Sequence, residues 1–205
     1  MQGGRDIAPV VNELLSLPFV IKVATKDFHP QDHISFASNH PPPNNKPFES
    51  EITIANPYNP EETETTRLWP DHCVQGTPGA ELIPELNTSK INHVVEKGQD
   101  KRVEMYSAFA APFVNPVVSR SGLVDTLNKA GVTHIFTVGL AFDYCVKFTA
   151  IDAAKEGFST FVVREGTRAV DPSSWEKVES QLAESGVKMV GITGDEVSQV
   201  KSLAS

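Results

Sequence analysis

The segment "THIFTVGLAFDYCVKFTAIDAAKEGFSTFVVR", residues 133–164, decides the fold of this chain. It opens with an apolar run at 133–140, continues at helical spacing over 143–156 and closes with a second apolar run at 160–164. Two short apolar strands joined by a helix of about 10–15 residues form a crossover unit, which places the strands parallel to each other. The segment therefore predicts an α/β protein.

The same alternation continues on both sides of this segment. Helical spacing at 121–130 is followed by Gly131, and Asp171-Pro172 is a typical helix start. A strand at 188–192 and a helix from about 195 complete the C-terminal part. Because apolar parallel strands need helices on both faces, we predict a three-layer α/β/α sandwich with a mainly parallel sheet.

The N-terminal half contains further predicted elements. Residues 6–17, "DIAPVVNELLSL", have apolar side chains at helical spacing, with Asp6 as the capping residue. "FVIKVAT" at 19–25 is the pattern of a buried strand. A short helix at 77–86 and a strand at 92–96 precede the decisive segment.

Residues 37–67 differ from the rest of the chain in composition. They are polar and rich in Pro and Asn, a composition that does not support a packed helix. We predict a long surface excursion with a short hairpin around Ile52–Ile54. A chain of 205 residues can bury a substantial core, so we expect a single domain over residues 1–205.

Charge and hydropathy exclude two classes of partner. The chain has 18 Lys+Arg against 26 Asp+Glu, a net charge of −8, and no basic cluster interleaved with aromatics, so we expect no nucleic-acid partner. No apolar run reaches the roughly 20 residues of a membrane helix, and the N-terminus lacks the regions of a signal peptide. We expect no membrane partner and a cytoplasmic protein, with the nucleus and a homo-oligomeric state left open.

The first candidate site residues follow predicted strands, because ligands bind outside the carboxyl ends of strands in such sheets. In "VATKDFHPQDHISF", residues 23–36, Asp27 and His29 follow one strand, while Cys145 follows another. Side chains at the carboxyl ends of neighbouring parallel strands can share one crevice. Cys73 and Cys145 are far apart in the sequence, so we expect free thiols rather than a disulfide.

Asp27 and His29 form a candidate metal site. Residues two apart in an extended segment point to the same side, and His72 in "RLWPDHCVQGTPG" is the candidate for a third ligand. An Asp/His/His set with open positions suits Zn²⁺, Fe²⁺ or Mn²⁺ in a catalytic role. The spacing alone equally suits an aspartate that caps a turn and a histidine bonded to the backbone. His33 and His40 suit loop packing or support of the ligands.

Cys145 is the candidate nucleophile. A bend at Leu140-Ala141 and a helix entered near Asp143 place it in the first helical turn, where backbone N–H groups and the helix dipole favour a thiolate. The same N–H groups could bind an oxyanion. A small buried core residue is the alternative for Cys145, and Cys73, which no helix start activates, suits packing beside His72.

Three further residues suit a pocket at the same edge of the sheet. Lys97 ends the strand in "NHVVEKG" and could favour a thiolate or stabilise developing negative charge, although a solvated loop lysine is the ordinary alternative. Trp69 and Tyr106 could form walls for a flat ring, or belong to the core.

Four segments together carry a resemblance to a known family. They are "TKDFHPQDHISFASNH", "LWPDHCVQGTPGAEL", "EKGQDKRVEMYSAF" and "VGLAFDYCVKFTAIDAAKEGF", in this order across residues 25–158. They resemble the nicotinamidase branch of the isochorismatase-like cysteine hydrolases, most closely the fungal type. The resemblance implies the isochorismatase-like hydrolase fold and the hydrolysis of nicotinamide to nicotinate and ammonia.

The resemblance also implies a role for each candidate residue. It implies that Asp27, His29 and His72 hold the metal, that Cys145 is the nucleophile and that Lys97 is the basic member of the catalytic set. The pyridine nitrogen of the substrate would bind the metal, and the Cys145 thiolate would attack the amide carbon to give a thioester that water hydrolyses.

The remaining implied roles concern the oxyanion and the ring. Leu140-Ala141 matches the family's cis peptide, at which the N–H groups of Ala141 and Cys145 form the oxyanion hole. Trp69 and Tyr106 match ring-contacting positions, and Ser107 lies beside them.

The chain departs from this family at its beginning. Family members begin with a central strand that ends in an Asp-x-Gln-x-Asp-Phe-like segment, whose first Asp takes the thiol proton and passes it to the departing ammonia. This chain begins at "MQGGRDIAPVV", which resembles the stretch just after that segment, and Asp6 falls on the first predicted helix and is not assigned as the base. We favour an upstream segment in the native protein over a divergent member. We predict that the chain as given is inactive or severely impaired, since a general acid–base typically contributes about 10²–10⁴-fold.

Two other functions compete with the nicotinamidase hypothesis. The first is another branch of the superfamily, such as an isochorismatase or a carbamoyl-amide hydrolase, which generally lacks the metal-binding set. The second is a non-catalytic protein that binds nicotinamide or nicotinaldehyde without releasing ammonia.

Overall fold

The computed structural model of the chain describes residues 2–203. These residues form two compact units. The first unit comprises the residues up to Ala24, Ile83–His93 and the residues from Gly122 onward; the second comprises Thr25–Leu82 and Val94–Ser121. The single domain expected over residues 1–205 stays a prediction.

Helices and strands alternate through much of the described chain. The helices are α1 (Ala8–Ser16), α2 (Leu123–Lys129), α3 (Lys147–Lys155), α4 (Trp175–Glu184) and α5 (Asp195–Ser202). The strands are β1 (Val23–Asp27), β2 (Glu51–Asn56), β3 (Asn59–Arg67), β4 (His93–Lys97), β5 (His134–Leu140), β6 (Ser159–Arg168) and β7 (Lys188–Val190). None of the helices between residues 2 and 203 is long and apolar enough to cross a bilayer.

The first unit is built around a parallel sheet in the order β5-β6-β7. Val162 and Val163 are neighbours in β6, so their side chains point to opposite faces of this sheet. Val162 belongs to a buried cluster with residues of α3 and α4, such as Leu182. Val163 belongs to a second cluster with Leu14 of α1 and Val197 of α5. Helices therefore cover both faces of the sheet, as the predicted α/β/α sandwich requires.

The second unit contains an antiparallel hairpin and a small core. β2 and β3 pair from Glu51 opposite Arg67 to Asn56 opposite Asn59. Ile54 of β2 packs in a buried cluster whose other members lie in later loops: Val103, Met105, Ala111 and Phe113. The hairpin is therefore packed against the rest of its unit, although its sequence is polar.

β1 and β4 form a separate two-stranded ladder. The Asn92 N–H donates to the Lys22 carbonyl, and the Phe28 N–H donates to the Lys97 carbonyl at 2.9 Å, so the two strands run in the same direction. Both strands end at this second hydrogen bond. The carboxyl ends of β1 and β4 consequently lie side by side, and this positions the candidate site.

Some predicted elements are wrong in type or position. The helix predicted at 77–86 is only a 3₁₀ turn at Pro78–Ala80, because Gly79 disfavours a helix and Pro84 has no N–H to donate. The strand predicted at 19–25 is β1, which begins at Val23 and continues through Asp27. Asp6 does not cap α1, since a 3₁₀ turn containing Asp6 leads directly into the helix.

Two further elements differ from their predicted extent. The hairpin predicted around Ile52–Ile54 includes all of β2 and β3. The helix predicted at 143–156 is divided into a π-helical turn at Phe142–Val146 and α3. The chain therefore reaches α3 through a wider turn than the apolar spacing indicated.

The packing of α4 predicts a difference between two leucines. Leu182 is 0% exposed in the cluster of the first unit, whereas Leu203 after α5 is 73% exposed. We expect Leu182→Ala to lower the free energy of unfolding by about 2–5 kcal/mol, because it removes buried contacts and leaves a cavity. Leu203→Ala, the matched control, should change it by less than about 0.5 kcal/mol. Urea unfolding at 25 °C measures both, and equal losses would contradict this packing.

Candidate functional site

Asp27 ends β1 beside Lys97, which ends β4, and the two side chains form an ion pair in which Lys97 is buried and Asp27 is half-buried. Lys97 is 3% exposed, and its Nζ donates to Asp27 Oδ1 and, at 3.0 Å, to the Met105 carbonyl oxygen. Burial raises the pKa of Asp27, but the Lys97 ammonium and the nearby imidazoles outweigh this effect and hold the pKa below its usual value. Asp27 is therefore a carboxylate at neutral pH. Lys97 bonds its Oδ1 atom, and Oδ2 is the other carboxylate oxygen.

Two histidines of the same cluster donate the same ring N–H group to the backbone. The Nδ1–H of His29 donates to the Gly98 carbonyl oxygen at 2.8 Å, and the Nδ1–H of His72 donates to the Pro70 carbonyl oxygen at 2.8 Å. These bonds fix the tautomer, because a ring nitrogen next to a carbonyl oxygen must carry the proton. Each Nε2 then keeps its lone pair, and His72 Nε2 lies 3.8 Å from Asp27 Oδ2.

Asp27, His29 and His72 fit a divalent cation. One ligand atom from each residue lies within 4.8 Å of the others, so a single ion can contact all three. Burial lowers the pKa of His29, against the opposing charges of Glu104 and Asp27, and keeps the imidazole neutral as metal binding requires. A backbone carbonyl on the far nitrogen of each ring is the arrangement that commonly orients a metal-bound histidine.

Gly98 allows His29 to occupy this position. Its φ is +68°, and a Cβ at this residue would lie 2.3 Å from His29 Cε1 and 2.6 Å from Nδ1. Any other residue would therefore displace the imidazole whose Nδ1–H the Gly98 carbonyl accepts. The sequence places Gly98 directly after Lys97 but does not show its contact with His29, which lies 69 residues earlier in the chain.

A second cluster overlaps the first at His29. His29, His33 and Glu104 are all buried, and their ligand atoms also lie within 4.8 Å of one another. His33 Nδ1 lies 2.8 Å from Ser35 Oγ. Burial lowers the pKa of His33 to about 3, so the ring is neutral. Glu104 was missed in the sequence, because nothing in its spacing relates it to the histidines.

The aromatic residues form a hydrogen-bonded group in the same unit. Trp69 Nε1 donates to the Tyr106 hydroxyl at 2.9 Å, and that hydroxyl lies 2.7 Å from Thr66 Oγ1. Ser107 is buried, and its Oγ accepts the Phe109 N–H at 3.1 Å. His40, expected in loop packing, places Nε2 2.7 Å from the Ile34 carbonyl oxygen. Contact of Trp69, Tyr106 or Ser107 with a substrate stays a prediction.

Cys145 belongs to the first unit and lies in the π-helical turn before α3. The expectation that it occupies the first turn of an α-helix is wrong, because the Val146 N–H donates to the Ala141 carbonyl at 3.0 Å, five residues back. The Leu140–Ala141 peptide is cis. Such π-helical turns are rare and often occur at functional sites.

Cys73 is a half-buried thiol next to His72. Its φ is +46°, which few residues other than glycine adopt. Burial, together with the charge of Asp27, raises the pKa of the Cys73 thiol to about 11. The thiol is thus almost fully protonated at neutral pH, in keeping with a packing role rather than a nucleophilic one.

Comparisons with known proteins place the chain in a family. The sequence profile of the isochorismatase domain matches residues 38–194. The chain belongs to the isochorismatase family, on its nicotinamidase branch. A nicotinamidase from Acinetobacter baylyi is 37% identical over 92% of this chain and 82% of its own.

Solved structures agree with the fold. The yeast nicotinamidase Pnc1p bound to the inhibitor nicotinaldehyde superposes with a TM-score of 0.84 at 31% identity, over 93% of this chain and 90% of its own. The Pyrococcus horikoshii pyrazinamidase in complex with zinc superposes with a TM-score of 0.68 at 29% identity, over 93% of this chain and 88% of its own. The predicted isochorismatase-like α/β fold is confirmed.

The close approach at Gly98 predicts a selective loss of metal affinity. We expect Gly98→Ala to weaken Zn²⁺ binding about 10–100-fold, because the added methyl displaces His29. Gly76→Ala is the matched control: its φ is +73°, and no atom of residues 2–203 lies within 4 Å of the Cβ position. Zn²⁺ titration of metal-free protein measures both variants. If both variants lost the same Zn²⁺ affinity, the cause would be backbone strain at positive φ. That result would contradict a steric clash between the added methyl group and the His29 ring.

The raised pKa of Cys73 predicts how its alkylation depends on pH. With a pKa of about 11, its thiolate fraction rises about tenfold per pH unit between pH 7 and 9.5. We expect the rate of iodoacetamide labelling at Cys73 in metal-free protein to rise in proportion, as peptide mass spectrometry can measure. An unstructured peptide with a single cysteine, whose ordinary pKa is about 8.5, should level off in the same range. Levelling at Cys73 would contradict the raised pKa.

Proposed function

We propose that this protein hydrolyses nicotinamide to nicotinate and ammonia. The observation that carries the proposal is the convergence of Asp27, His29 and His72 on one small volume beside buried Lys97. Family membership on the nicotinamidase branch supports the same substrate. A structural role does not account for two imidazoles that both donate Nδ1–H to a backbone carbonyl and whose ligand atoms converge with a carboxylate.

Asp27, His29 and His72 would hold a divalent ion, Zn²⁺ or else Fe²⁺ or Mn²⁺. A zinc complex of the Pyrococcus horikoshii relative supports zinc. A bound ion would supply a Lewis acid for the pyridine nitrogen of the substrate. Lys97 leaves Asp27 Oδ2 available, since it bonds Oδ1. Trp69, Tyr106 and Ser107 are proposed to contact the substrate ring.

Cys145 is the proposed nucleophile, with Lys97 as the basic member of the catalytic set. The Cys145 thiolate attacks the carboxamide carbon, and the carbonyl oxygen takes the negative charge, stabilised by the N–H groups of Ala141 and Cys145. The C–N bond then breaks, ammonia leaves with a proton, and a thioester remains. Water hydrolyses the thioester to nicotinate and returns the thiol.

The proton for ammonia needs an acid–base group that we do not assign within the 205 residues. Asp6 lies in a 3₁₀ turn and is exposed, and nothing in its surroundings favours such a role. We therefore propose that these residues alone hydrolyse nicotinamide slowly. An upstream strand with an acidic residue would restore the rate.

An ammonia-release assay with nicotinamide tests the proposed function on two proteins. One is the 205-residue chain, and the other carries an upstream strand with an acidic residue. We expect the longer protein to be faster by about 10²–10⁴-fold, the usual contribution of a general acid–base, and Cys145→Ala to abolish ammonia release from it.

Three other outcomes would contradict the proposal in different ways. A longer protein that neither releases ammonia nor binds metal is not a nicotinamidase. Nicotinamide binding without ammonia release, even at high protein concentration, would indicate a non-catalytic ligand-binding protein. Unchanged ammonia release by Cys145→Ala would exclude the thioester route.

A further inference from the structure

Asp143 is a buried carboxylate that the proposed reaction does not use. It lies two residues before Cys145 in the same π-helical turn and is 6% exposed. Its Oδ1 accepts the Val170 N–H at 2.9 Å, and its Oδ2 accepts the Asp171 N–H at 2.9 Å. Both carboxylate oxygens are thus bound to one short stretch of backbone between β6 and α4.

The two hydrogen bonds fix both the orientation of the Asp143 carboxylate and its distance from the backbone of Val170 and Asp171. A buried carboxylate is costly unless hydrogen bonds compensate its charge, and bonds from N–H groups to a carboxylate are stronger than those between neutral groups. Two parallel bonds from successive N–H groups also leave the carboxylate little freedom to rotate. The backbone of Asp143 is therefore held at a fixed distance from Val170 and Asp171.

Two other side chains connect the same region to α4. The Phe142 ring stacks on Trp175, with centroids 4.0 Å apart and 24° between the ring planes. Lys147 Nζ lies 3.4 Å from Gln181 Oε1. One stacking contact and three hydrogen bonds therefore connect the residues that flank Cys145 to α4 and the loop before it. Asp143 lies within the π-helical turn, and its side chain is shorter than those of Phe142 and Lys147. Its two hydrogen bonds therefore restrain the backbone of the turn most directly.

We propose that Asp143 is a positioning residue for Cys145. It holds the turn so that the sulfur and the Cys145 N–H keep the places that attack on the carboxamide requires, an assignment that rests on the proposed function. Asp143 belongs to neither the metal-binding set nor the ring-contacting set. Its loss should therefore slow the chemical step and leave substrate binding nearly unchanged.

The test is Asp143→Asn, measured in whichever of the two proteins hydrolyses nicotinamide. The amide keeps one acceptor oxygen but points an NH₂ group at the second backbone N–H, so one bond is lost at nearly constant volume. We expect kcat to fall about 10–100-fold, as displacements of about 1 Å can cause, with KM for nicotinamide within about twofold. Asp152→Asn is the matched control: its carboxylate on α3 bonds Lys155 at 3.1 Å, and kcat should stay within about twofold.

Amide hydrogen exchange provides a readout that does not depend on activity. In the Asn variant, the amides of residues 142–146 and 170–171 should exchange at least about tenfold faster, while those in the interior of α5 stay unchanged. If the Asn variant does not fold, Asp143→Glu is the second variant, because it keeps both oxygens but moves them one methylene farther from the turn. It should show the same fall in kcat and the same change in exchange.

Several results would overturn the proposal. The first is a kcat of Asp143→Asn within twofold of the parent. The second is a fall in kcat no larger than the loss of folded protein. The third is a rise in KM with kcat unchanged. If the parent releases no ammonia, the proposed function fails separately, and hydrogen exchange alone decides the question. Unchanged exchange at residues 142–146 would then show that Asp143 does not hold the turn.

Discussion

The hydrogen bond from His29 Nδ1–H to the Gly98 carbonyl is the constraint on which the candidate site depends. It fixes the tautomer, so that Nε2 keeps its lone pair, and it requires the absence of a side chain at residue 98. The corresponding bond from His72 to Pro70 does the same from another loop. Two rings that are oriented by backbone carbonyls need no ion to hold them in place. The protein can therefore present a preformed set of ligands, which lowers the entropic cost of binding.

Each unit contains a carboxylate whose negative charge is compensated by defined hydrogen-bond donors. Asp27 is compensated by Lys97 in the second unit, and Asp143 is compensated by two backbone N–H groups in the first. In each case a carboxylate, which would be costly if unpaired, is bonded on defined oxygens and so fixes its surroundings. For Asp27 this leaves Oδ2 to face His72. For Asp143 it fixes the turn that carries Cys145.

The sequence predicted what repeats along the chain and missed what depends on a single contact. The crossover at 133–164 predicted β5 and β6, and the D-x-H spacing predicted that Asp27 and His29 converge, because both follow from regular backbone periodicity. The helix predicted at 77–86 is wrong because it was inferred from apolar spacing alone, whereas Gly79 and Pro84 disfavour a helix there. Gly98 and Glu104 were missed since their roles arise only when distant segments pack. The π-helical turn at Cys145 likewise has no sequence periodicity of its own.

The location of a bound metal tests the account most directly, because two overlapping clusters share His29. Crystals grown with Zn²⁺ should give one anomalous difference peak per chain, about 2.0–2.2 Å from Nε2 of His29, Nε2 of His72 and a carboxylate oxygen of Asp27. A peak bound instead to His33 and Glu104, or no peak in crystals grown with excess Zn²⁺, would contradict it.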